Sequence, residues 1–97
     1  MSQRETALRE VIGEYEDEQS RAASRLDASK IRRTRLNLAR EFLIEHGQES
    51  EAQDLESGIH DLDRQIESTS ATLSRLTELI ATYRATLGKI ERTASGS

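Results

Sequence analysis

The chain has 97 residues, of which 33% are charged and 34% hydrophobic, with one Phe, two Tyr, no Trp, no Cys, no Pro and a formal net charge of −4. The missing cysteine excludes disulfide frameworks and thiolate metal sites. So little apolar bulk excludes a thick globular core, and the acidic balance weighs against a general nucleic-acid binder.

Apolar runs never exceed three residues, so no segment reads as membrane-spanning. The opening "MSQRETALRE" lacks the apolar stretch of a signal peptide. A soluble, cytoplasmic protein is expected. Ala, Leu, Glu, Arg and Gln are frequent and form helices well, and the absence of proline leaves no position barred from a helix. An all-α chain of long amphipathic helices follows.

Ser2 with Glu5 makes an S-x-x-E capping box and starts the first helix, predicted over 2–46. Gly47 supplies the left-handed residue that commonly stops a helix. Residues 47–50 form the turn. Ser50 with Gln53 makes a second capping box and restarts the chain over 51–93, before a frayed tail at 94–97. Each helix would be roughly 65 Å long at the usual rise per residue. Together they make one helical-hairpin domain.

The second helix carries the clearest pattern. Leu55, Ile59, Leu62, Ile66, Thr69, Leu73, Leu76, Ile80, Tyr83, Leu87 and Ile90 alternate in steps of four and three, and only Thr69 is polar. That is a sustained heptad seam. The first helix holds two weaker stripes. One reads Leu8, Ile12, Tyr15, Gln19, Ala22, Leu26, Ser29, Arg33, Leu36, Arg40 and Leu43. The other is shorter: Ala28, Ile31, Arg35, Leu38 and Phe42. At heptad periodicity they lie on nearly opposite faces, and packing on one partner buries only one of them. The sequence leaves open which stripe is the intramolecular seam.

Folded back as an antiparallel hairpin centred on Glu49, the longer stripe stays in phase with the second helix. Leu43 faces Leu55, Leu36 faces Leu62, Ala22 faces Leu76 and Tyr15 faces Tyr83. The one polar break, Thr69, meets Ser29, as a register-fixing polar layer would. Charge agrees. Residues 21–44 carry +5 and fold against 45–67, which carry −7; residues 2–20 carry −4 and fold against 68–97, which carry +2. Arg33 and Arg40 interrupt the stripe, but their long stems can run along it and place the heads near Asp63 and Glu56.

A bare two-helix hairpin is marginal unless stapled or oligomeric. The spare stripe is therefore expected to meet another surface, either a second copy in a four-helix bundle or a different protein. Ala28, Ile31, Leu38 and Phe42 are the candidate protein contacts, with Phe42 the leading anchor because buried aromatics tend to dominate such contacts.

Other chemistries have weaker support. His60 shares a helix side with Glu56 and Asp63, but no E-x-x-H or H-E-x-x-H motif accompanies it. His46 reads as a helix-end cap. The acids of "EYEDE" (Glu14, Glu16, Asp17, Glu18) read as a solvated face. No nucleophile elbow or phosphate loop occurs. No enzyme activity, cofactor, metal or small-molecule substrate is expected.

The stretch "KIRRTRLNLAR" raises a nucleic-acid alternative. Arg21, Arg25, Arg32 and Arg35 line one flank of the first helix and could follow a phosphate backbone, though no aromatics interleave for stacking. The leading expectation is a homodimeric protein–protein interaction module: an adaptor, an assembly or secretion chaperone, or a phage-type inhibitor. A structural coiled-coil spacer, in which the turn never forms, is the third reading.

Overall fold

A computed structural model describes residues 2–96. Two helices, α1 (Gln3–Glu45) and α2 (Glu49–Gly96), pack against each other as a hairpin, and no strand occurs among the described residues. The spacer reading required one continuous helix, and the chain reverses instead.

The helix ends follow from local hydrogen bonding. The Glu5 amide donates to Ser2 Oγ at 3.0 Å, so Ser2 caps α1 as predicted. The Glu5 carboxylate pairs with Arg9 at 3.5 Å. At the other end Gly47 has φ +75°. The Gln48 amide donates to the Leu43 carbonyl at 2.8 Å and the Gly47 amide to the Ile44 carbonyl at 3.1 Å. This is the Schellman pattern, in which a left-handed residue lets the next amides satisfy carbonyls the helix would leave orphaned.

α2 begins earlier than its serine predicts. The Ala52 amide donates to the Gln48 carbonyl at 3.0 Å, so Gln48 occupies the cap position and Ser50 lies inside the first turn. The Schellman turn already satisfies the end of α1, and the chain re-enters a helix at once. At its far end α2 continues to Gly96, past the predicted stop at Thr93. No proline or left-handed glycine interrupts the ladder there. Ser97, the last residue of the expected tail, lies outside the described residues.

The hairpin divides into two compact units, each built from one stretch of α1 and one of α2. The first joins residues up to Ala22 with those from Thr72 onward. Its core is Ile12, Ala22, Leu76, Ile80 and Leu87. Tyr15 and Tyr83 stack across it with ring centroids 6.0 Å apart and planes inclined by 25°. This contact places the register where the heptads predict it. Gln19 donates to Thr77 Oγ1 at 2.9 Å, and the pairs Arg9–Glu91 and Arg84–Glu16 tie the helices along their flanks. Ile90 departs from the prediction. It belongs to the α2 heptad seam yet is 49% exposed.

The second unit spans Ala23–Ala71 and contains the turn. Its core is Leu26, Ala52, Ile59 and Leu62, with Leu36, Leu43, Leu55 and Ile66 half-buried. Ala52 extends the α2 seam one step toward the turn, beyond the Leu55 at which the large apolar residues begin. Ser29 and Thr69 are both half-buried within this unit. Arg33 pairs with Asp63, and Arg40 Nη1 with Glu56 at 3.3 Å, each as the centred hairpin requires.

Candidate protein-docking face

The unit spanning Ala23–Ala71 settles which stripe of α1 faces α2. Leu26 is buried, and Ser29, Arg33, Leu36, Arg40 and Leu43 are half-buried. These are the longer heptad series. α2 presents an almost unbroken apolar seam, and only this series runs the length needed to cover it.

The shorter stripe points the other way. Ile31 is 55% exposed and Leu38 and Phe42 are each 60% exposed, with Ala28 and Arg35 also exposed on the same line. A helix packed on one neighbour buries an arc somewhat wider than 100°, and this stripe lies outside it. Ile31 and Leu38 are seven apart, as are Arg35 and Phe42, so they form two adjacent rows along the helix. Ile44 is 50% exposed as well, on a flank of the seam rather than on the stripe. The sequence gives no sign of it, because it belongs to neither four-three series.

The end of the stripe is held in place. His46 Nδ1–H donates to the Phe42 carbonyl at 2.9 Å, which caps the last turn as expected. The two rings lie 4.2 Å apart, so Phe42 rests against His46 on one side and is open on the other. Phe42 is therefore presented in a defined orientation, which lowers the entropy lost when a partner covers it.

The charges beside the stripe are segregated. Asp27, Thr34 and Glu41 follow one edge, and Arg25, Arg32, Ala39 and His46 the other. Both edges are exposed. Glu41 accepts a hydrogen bond from Asn37 at 3.3 Å. Toward the N-terminal end of the stripe, a shallow groove separates Ala28, Ser29 and Arg32 of α1 from Gly58, Asp61 and Gln65 of α2.

The basic stretch is split by the fold. Arg33 and Arg40 turn inward to the acids of α2. Arg32 and Arg35 remain exposed on the outer side, and Arg25 is exposed beside them. Arg21, in the other unit, is exposed and pairs with Glu18 at 2.9 Å. The four arginines of the nucleic-acid alternative are thus all on the surface, and Arg21 forms an ion pair with its own helix.

The His60 cluster resolves into ion pairs. Glu56 and Asp63 are taken up by Arg40 and Arg33, while His60 is exposed. No group of three or more acidic or histidine side chains among the described residues is placed to hold a metal. Among the same residues no helix is long and apolar enough to cross a membrane. No family model, no curated protein and no solved structure matches this chain.

Proposed function

We propose that this chain is a non-enzymatic protein–protein interaction module of the cytoplasm that docks through the outer stripe of α1. An adaptor, an assembly or secretion chaperone and a phage-type inhibitor all fit this mode of action. The observation that carries the reading is the exposure of Ile31, Leu38 and Phe42, at 55–60% each, on one face of one helix. Three large apolar side chains at helical spacing match helix-mediated recognition, in which residues three, four and seven apart act as anchors. Phe42, Leu38 and Ile31 are assigned as those anchors, with Ala28 allowing close approach at the N-terminal end. The segregated charged edges supply the polar rim that surrounds such contacts.

The test is the double substitution Leu38→Asp and Phe42→Asp, with Ala85→Asp on the exposed surface of α2 as control. Proteins captured with the wild-type chain from its host should be lost with the double variant and kept with the control, at unchanged helical circular dichroism. Equal capture by all three would contradict the reading.

The exposure of Arg32 and Arg35 favours a second reading, a helical dimer associated with nucleic acid through Arg21, Arg25, Arg32 and Arg35. Phosphate contacts would make such binding weaken steeply with salt. Absence of DNA and RNA binding at low ionic strength would eliminate it.

A further inference from the structure

We propose that a second copy of this chain covers the outer stripe, with the two α1 helices side by side and parallel. This deepens the docking assignment above and rests on the same face.

The argument comes from the charged edges. Written as heptads, Ala28, Arg35 and Phe42 form one row of the stripe and Ile31 and Leu38 the other. Asp27 and Glu41 precede the first row on one edge, and Arg32 and His46 follow the second row on the other. All four of these edge residues are exposed.

In a parallel pair of helices, each edge meets the opposite edge of its partner, five residues further on. Asp27 then meets Arg32 of the second copy, and Glu41 meets His46 of the second copy. Two-fold symmetry makes each contact twice.

The antiparallel alternative covers the same apolar side chains by setting Ile31 against Phe42 of the second copy. Edges of the same kind then meet. Asp27 falls beside Glu41. Like charges placed opposite each other disfavour that arrangement. Charge complementarity at the edges therefore favours a second copy in the parallel direction.

The core of the parallel contact would stack Ala28, Ile31, Leu38 and Phe42 on their own counterparts. Arg35 would face Arg35, its stem along the stripe and its head turned out. A single polar residue in this position costs stability and fixes register and oligomeric state. The stripe is short, so the dimer belongs with small, transient interfaces and its population rises with concentration.

The chain has no cysteine, so single cysteines report cleanly on proximity. Ala28→Cys should form a disulfide-linked dimer on mild oxidation, because identical positions face each other. In the antiparallel arrangement the two positions 28 lie roughly 25 Å apart along the axis, too far for a disulfide, which needs Cα atoms within about 7 Å. In a mixture of Ile31→Cys and Phe42→Cys chains, each should link to its own kind. Light-scattering mass of the wild type should climb from one chain toward two with concentration, and stay at one for Leu38→Asp with Phe42→Asp.

Preferential linking of position 31 to position 42 would overturn the parallel arrangement. A mass of one chain at every concentration, with no Ala28→Cys product, would overturn the dimer. If host proteins still depended on Leu38 and Phe42 for capture in that case, the docking assignment would survive the loss of the dimer.

Discussion

Replacing Arg40 by leucine should stabilise the hairpin by about 1–3 kcal/mol. Arg40 occupies a seam position, and its Nε is buried with no hydrogen-bond partner. An orphaned buried donor costs about 1–3 kcal/mol. Its compensation is one ion pair, Nη1 to Glu56 at 3.3 Å, with the Arg40 and Glu56 side chains 29% and 50% exposed. Water screens a pair of this kind, and it contributes about 0–1 kcal/mol. Leucine would add one methylene's worth of new burial, about 1 kcal/mol, because the arginine stem already covers part of the seam. The orphaned donor and the new burial together outweigh the lost pair. Urea denaturation followed by helical circular dichroism measures the change, and the melting temperature should rise by several degrees. A loss of more than about 1 kcal/mol in Arg40→Leu, matched by the same loss in Glu56→Gln, would refute the reasoning by showing that the ion pair dominates.

Three further experiments probe the turn, α2 and the register. Gly47→Ala should cost about 1–2 kcal/mol, all of it from the backbone, since φ is +75° and an added Cβ would meet nothing within 4 Å. Gly58→Ala should stabilise by up to about 1 kcal/mol through helix propensity, as its Cβ would make an ordinary 3.4 Å contact with Leu36 Cδ1; thermal melts decide both. A double-mutant cycle on Tyr15 and Tyr83 should return a coupling of about 0.5–1.5 kcal/mol. A coupling near zero would mean that the two rings do not meet in solution and that the register is different.

The periodic parts of the fold were readable in the sequence because their cause is local. The α2 seam, the Gly47 stop and the pairs Arg33–Asp63 and Arg40–Glu56 all follow from heptad spacing and the position of the turn. The choice between the two α1 stripes was not readable, because Arg33 and Arg40 interrupt the longer one and leave two partial patterns of similar apolar character. Only the packing shows that α2 takes the longer stripe, with the arginine stems bridging its gaps. Ser50 misled for a different reason. A capping box is a local signal, and the Schellman turn had already set where α2 starts, at Glu49. Ala52 and Ile44 escaped notice because one is too small, and the other too far off the seam, to mark a heptad pattern. The outer stripe itself was visible as residues, but its exposure depends on where α2 sits.

The docking assignment is tested most directly by a photoactivatable amino acid at position 38, compared with the same group at the exposed Ala85 of α2. Irradiation in cells that make the protein should give a discrete protein adduct from position 38 and none from position 85. Equal labelling from both positions, or labelling from position 85 alone, would contradict the assignment of the outer α1 stripe as the working surface.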